Sequence, residues 1–151
     1  PTNLRPIIWH QTGKNHDEAS TALYVQYQVD AKVEAFIEDM AAAYAWADVV
    51  ICRAGALTVS ELMMAGVASV LIPLPSAIDD HQTFNAKNLS DAGAGISLVQ
   101  KDLTAAKLAA LLLTELADRH HLKAMAENAQ QLAKPNAACD VADICEEIAL
   151  G

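Results

Sequence analysis

Short runs of β-branched and apolar residues alternate with segments of helical periodicity along this chain, and that alternation restricts its fold more than any other property. "RPIIWHQT" is followed by "HDEASTALYVQYQ", which has acidic residues in the first turn, where the helix dipole favours them. "AKVEAFI", alternating with period two, leads into "DMAAAYAWA", where Asp39 is a natural N-cap. "DVVIC" leads into "LTVSELMMA" closed by Gly66, "ASVLIPL" into "HQTFNAKNLSDA" closed by Gly93, and "GISLVQ" ends the series. Nearly continuous apolar strands separated by helices imply an α/β fold, a Rossmann-like parallel sheet with helices on both faces. Three further helices are expected in "TAAKLAALLLTEL", "HHLKAMAENAQQLA" and "AACDVADICEEIAL", with a break at Pro135-Asn136. No linker or repeat divides the chain, so all 151 residues are read as one domain, with the terminal helices in 104–150.

Composition excludes some partners. With 10 Lys+Arg against 19 Asp+Glu, a net charge of −9, there is no cationic face for a nucleic-acid backbone or an anionic membrane surface. The three cysteines, Cys52, Cys139 and Cys145, form no CxxC pair, which predicts reduced thiols in a cytosolic setting. The longest apolar stretches are too short to span a bilayer.

In an open parallel sheet, ligands bind outside the carboxyl ends of the strands, so the turns that follow strands carry the functional signal. In "RAGALTVSE", Gly55 permits a sharp turn and close approach, and a helix opened by Leu57 and Thr58 would offer unpaired amides at its positive end. That is a phosphate cradle without a lysine. Glu61 could accept hydrogen bonds from a ribose diol, or Thr58 through Glu61 could simply be a capping box. At "FIEDM", the backbone of Phe36 and Ile37 could read the edge of a flat heterocycle with Met40 on its face; equally, Asp39 could only cap and Met40 only pack. In "DDHQTFNAKN", Asp80 can cap the helix, while Gln82 and Asn85 share a face and suit sugar hydroxyls. Asp79, Asp80 and His81 are consecutive and belong to no wider His/Cys cluster, so no metal site is expected. His81 has no paired nucleophile. His120 and His121 read as surface, Cys139 and Cys145 as packing residues, Trp9 and His10 as core or rim, and Lys14 as a weak phosphate candidate.

Taken together, "IWHQTGK", "FIEDMAAAYAWADVVICRAGALTVSEL", "IPLP" and "DDHQTFNAKNL" resemble the carboxyl-terminal half of the MurG family of bacterial glycosyltransferases. That family moves N-acetylglucosamine from UDP-GlcNAc onto the lipid-linked muramoyl-pentapeptide of peptidoglycan synthesis. The resemblance implies the donor domain of a type B glycosyltransferase fold, inverting and metal-independent, with no cofactor besides the donor. It implies that Ile37 pairs its backbone with uracil, that Met40 lies near the nucleoside and that Glu61 takes the ribose hydroxyls. Ala56, Leu57 and Thr58 would meet the diphosphate and sugar, and His81, Gln82 and Asn85 the GlcNAc hydroxyls. The family's acceptor site, candidate general base and membrane-binding patch belong to an amino-terminal domain that has no counterpart in these residues. The implied location is peripheral, on the cytoplasmic face of the inner membrane. The domain's first, central strand also has no counterpart, which implies unpaired edges in the sheet and a fragment that is inactive alone. The rival readings are a dinucleotide-dependent oxidoreductase domain, disfavoured by the lack of GxGxxG, and a non-catalytic interaction module.

Overall fold

The computed structural model describes residues 5–75, 80–114 and 117–150. The chain divides into two compact units, at Trp46 and Ala47. In the first, strand β1 (Ile8–Gln11), helix α1 (Asp17–Gln26), strand β2 (Ala31–Glu34) and helix α2 (Met40–Trp46) follow in order. β1 and β2 are parallel, in a register that sets Ile8 opposite Ala31 and Gln11 opposite Glu34. Trp9, on β1, is held by its surroundings: its indole N–H donates to Glu34 Oε2, Lys32 Nζ sits 4.0 Å above its ring, and Trp46 meets it edge-on at 5.8 Å. His10 Nδ1 and the Tyr24 hydroxyl lie 3.1 Å apart, which places both expected rim aromatics of β1 in half-buried packing roles. Burial pushes the Tyr24 phenol above its ordinary range.

The second unit contains β3 (Val49–Cys52), α3 (Ala56–Ala65), β4 (Ala68–Leu71), α4 (His81–Asp91), β5 (Gly95–Ser97), a 3-10 turn at Gln100–Asp102, and α5 (Ala105–Thr114), α6 (Arg119–Gln131) and α7 (Ala137–Leu150). Its three strands are parallel in the order β3-β4-β5. The middle strand, "ASVL", is buried at every position, as a strand covered on both faces must be. Ala68 and Val70 point from one face of it into a cluster with Leu122 and Met125 of α6. Leu122, Met125 and Ala129 form the single buried stripe of α6, and the Asp118 carboxylate caps that helix through the His120 amide at 2.9 Å. On the opposite face of β4, Ser69 is fully buried and lies opposite Gly95. A Cβ on Gly95 would come within 2.7 Å of Ser69 Oγ, so the glycine is required by close approach of two strands. Gly66, at φ 62, ends α3 in the left-handed region, with its N–H on the Leu62 carbonyl at 3.0 Å.

The expected alternation of strands and helices is therefore present, and the parallel sheet appears as separate ladders of two and three strands. Among the described residues, no ladder joins β1 or β2 to β3. Several details differ from expectation; β4 and β5 stop early, at Leu71 and Ser97. β2 stops at Glu34 rather than Ile37, because β1 turns away at Gly13 (φ 80) and the Ile37 amide pairs with a side chain instead of a strand. α3 begins at Ala56 rather than at Leu57 and Thr58. α7 buries none of its described side chains, so Cys139 and Cys145 are exposed rather than packed. Glu115 and Leu116 of the expected fifth helix, and Asp79 of the "DDHQ" turn, lie outside the described residues.

Candidate functional site

In the second unit, the exits of β3 and β4 are assembled around the start of α3. The N-cap of α3 is Gly55, at φ −65 and ψ 148, and no side chain caps it. Val59 N–H makes the helix's first internal bond, to the Gly55 carbonyl at 2.9 Å, so the amides of Ala56, Leu57 and Thr58 precede any intrahelical acceptor. Any residue can adopt the Gly55 backbone angles, and a Cβ there would sit 3.7 Å from Thr58 Oγ1, an ordinary contact. The sharp turn expected of Gly55 is thus not what this position demands of glycine. What the missing side chain leaves is open approach to the amides.

The helix start also decides the capping-box question. With Gly55 as N-cap, Thr58 is the third helical residue and Glu61 the sixth, a full turn too far in to return to the N-cap amide. Glu61 is exposed on this first stretch of α3, as are Ala56 and Leu57; Thr58 is half-buried.

α4 is tied to both strand exits. Asn85 Nδ2 donates to the carbonyl of the fully buried Ala54 at 2.9 Å, and Gln82 Oε1 accepts from Leu74 N–H at 3.0 Å. The two amides share a face, as their spacing implied, and each already spends one end on the scaffold. His81 is exposed as the first residue of α4. Asp80 occupies the N-cap position but, held at φ 54, bonds no backbone amide; its carboxylate accepts the Thr83 hydroxyl at 2.6 Å instead.

Arg53 was not singled out from the sequence, yet it stitches this rim together. Its Nη1 donates to the carbonyls of Ile72 (3.1 Å) and Pro73 (3.3 Å) and to Gln100 Oε1 (2.7 Å). An arginine placed directly after an apolar strand and before Ala-Gly was the available signal. Burial pushes the thiol of Cys52, just upstream, up to about 11, which keeps it protonated at neutral pH.

In the first unit, Ile37 is buried at 6% exposure in the turn between β2 and α2, and its N–H donates to Gln11 Oε1 at 2.8 Å. Met40, half-buried, opens α2, which Asp39 caps through the Ala42 amide at 2.8 Å. Gln11 is the second residue the sequence reading passed over, because a glutamine at a strand end carries no motif.

A cavity of about 440 Å³ lies beside α1, lined by His10, Leu23 and Tyr24 among others, and one of about 300 Å³ beside α5. Neither is lined by a candidate residue. Among the described residues there is no cluster of metal-ligating side chains, and no helix long and apolar enough to cross a membrane.

Parallel α/β units with strand exits gathered at a helix start define the carboxyl-terminal domain of the type B glycosyltransferase fold, and solved structures agree. The crystal structure of Acinetobacter baumannii MurG superposes with a TM-score of 0.87 at 48% identity, over 92% of this chain and 42% of that one. The spinosyn forosaminyltransferase SpnP shares the fold at a TM-score of 0.54 and 17% identity, over 100% of this chain and 46% of that one. The model of the glycosyltransferase family 28 C-terminal domain matches residues 4–145, and the chain belongs to that family. A relative from Cellvibrio japonicus (strain Ueda107) is 71% identical over 97% of this chain and 40% of its own length. It is named UDP-N-acetylglucosamine–N-acetylmuramyl-(pentapeptide) pyrophosphoryl-undecaprenol N-acetylglucosamine transferase. The chain spans about two fifths of the length of the curated relatives it matches.

Proposed function

We propose that residues 1–151 form part of the donor-binding domain of an inverting, metal-independent glycosyltransferase. Its donor is UDP-GlcNAc and its acceptor a lipid-linked muramoyl-pentapeptide, engaged through a domain outside these residues. The same outside domain would supply the general base and the membrane contact at the cytoplasmic face. In this reading the turn holding Ile37 and Met40 takes the nucleobase. Ala56, Leu57 and Thr58 take the diphosphate, Glu61 the ribose, and His81, Gln82 and Asn85 the GlcNAc hydroxyls.

The observation that carries the reading is the start of α3. A helix end with no side-chain cap, preceded by a glycine that the backbone does not require, keeps its amides available to an anion. As the bond to the anomeric carbon breaks, negative charge grows on the departing diphosphate, and fixed N–H donors stabilise it without reorganisation. Each such donor is worth about 3 kcal/mol of barrier. Glu61 lies exposed on the same first stretch of α3, which supports its assignment to the ribose.

Calorimetric titration with UDP-GlcNAc and with NAD tests the proposal. UDP-GlcNAc is expected to bind and NAD not; tighter binding of NAD would overturn it. In the longest native form carrying this chain, Glu61→Ala is expected to raise KM for UDP-GlcNAc, and an unchanged KM would remove Glu61 from the site.

A further inference from the structure

The cavity of about 300 Å³ beside α5 is lined by none of the residues assigned to the donor. One wall is the chain that leaves β5, with Leu98, Val99 and the 3-10 turn Gln100–Asp102; the other is Leu103 and the helix α5 that follows it. Leu98 and Leu111 give it an apolar floor, packed against the core cluster of Ala68, Val70, Leu122 and Met125. The helix itself, "AAKLAALLLT", has Lys107 as its one charged residue, yet buries none of its side chains fully.

The frame is pinned by its own backbone. Leu98 N–H bonds the Leu71 carbonyl at 2.8 Å, Asp102 N–H the Val99 carbonyl at 3.0 Å and Leu103 N–H the Gln100 carbonyl at 3.1 Å. At the head of α5, the Thr104 hydroxyl accepts from Lys107 N–H at 3.1 Å and the Thr104 carbonyl from Leu108 N–H at 3.0 Å. Gln100 Oε1, in turn, accepts from Arg53 at 2.7 Å. These rim amides are spent, so an extended peptide would find no ladder to join. The charged side chains are not. Asp102 and Lys107, both exposed, face the cavity with opposite charges, one from each wall, and none of the ion pairs among the described residues includes either.

We propose that this cavity is a binding site for a free apolar α-amino acid. Its carboxylate pairs with Lys107, its ammonium pairs with Asp102, and its side chain lies on Leu98, Leu103 and Leu111. Two opposite charges beside an apolar floor match a ligand that carries both. A fatty acid would satisfy Lys107 but meet repulsion from Asp102, and an apolar amine the reverse. The volume, at the lower limit of small-molecule sites, equals the space of about ten waters and admits one such amino acid rather than a lipid. The site is independent of the donor reading and shares no residue with it.

The test titrates L-leucine into the longest native form carrying residues 1–151, by calorimetry and saturation-transfer NMR, with circular dichroism to verify folding of each variant. L-leucine is expected to bind with a Kd of about 1 mM or tighter. N-acetyl-leucine, which lacks the ammonium, and leucinamide, which lacks the carboxylate, are each expected to bind about fivefold weaker or not at all. Asp102→Asn and Lys107→Gln alter exposed side chains and leave the floor intact, and each is expected to weaken L-leucine by a similar factor. The pairing is read by crossing the two series: Lys107→Gln should erase the difference between leucine and leucinamide, and Asp102→Asn that between leucine and N-acetyl-leucine. No detectable binding of L-leucine to the wild type, analogues that bind as tightly as leucine, or variants that keep wild-type affinity would each overturn the proposal.

Discussion

Replacing Asn85 with alanine separates support of the rim from contact with a sugar. Asn85 Nδ2 donates at 2.9 Å to the carbonyl of Ala54, a residue with 0% exposure, and so ties α4 to the turn that launches α3. Truncation strips a buried carbonyl of this donor. An unmade buried hydrogen bond costs about 1–3 kcal/mol, and taking about 2 kcal/mol as the central value, a chain of this length loses roughly 4–8 °C of Tm. Because the Ala54 turn sets the direction of the α3 amides, affinity for UDP, which has no sugar, should fall along with affinity for UDP-GlcNAc. The assay is thermal unfolding by circular dichroism, together with calorimetric titration of both nucleotides. Wild-type stability combined with a loss confined to UDP-GlcNAc would refute the reasoning and leave Asn85 as a sugar contact alone.

Gly55→Ala should change stability by less than about 1 kcal/mol, since the backbone angles there suit alanine but alanine is a poor N-cap, yet weaken UDP-GlcNAc binding measured by calorimetry. Gly95→Ala should destabilise by about 1–3 kcal/mol in urea unfolding, because its Cβ would lie 2.7 Å from Ser69 Oγ. Ser69→Ala, which removes a buried hydroxyl without a partner among the described residues, should be neutral or stabilising by about 1 kcal/mol and should soften the Gly95→Ala penalty. Cys52 gives a pH signature. Its thiol is raised from an ordinary 9.0 to about 11, so the stability that it contributes by staying protonated is complete below pH 9 and lost as pH climbs from 9 to 11. Cys52→Ala should flatten that part of the stability profile, and iodoacetamide at pH 8 should label Cys139 and Cys145 well ahead of Cys52.

The strand and helix alternation was legible because each strand's apolar run is short and each helix ends on a punctuating residue such as Gly66 or follows a cap such as Asp39. The grouping of Ala56, Leu57 and Thr58 at a strand exit was legible for the same reason. What the sequence hid were matters of one or two residues. Thr58 and Glu61 fit a capping pattern that only the true helix start, at Ala56, dismisses. Phe36 and Ile37 continue a period-two pattern past the point where β1 has turned away at Gly13. Long-range side-chain pairings left no local trace, since Gln11 to Ile37, Asn85 to Ala54 and Arg53 to Gln100 each join residues more than 25 positions apart. Alanine and cysteine in α7 also misled, because residues that are small and apolar read as packed whether or not a neighbour covers them.

That last helix has a kinetic consequence. Val141, Ile144 and Ile148 stand 60%, 55% and 77% exposed along a helix of 14 residues, a length at which hydrogen bonds within one helix barely hold against water. With so little burial to anchor it, α7 should open and close on its own, and its amides should take up deuterium long before those of the enclosed β4 strand.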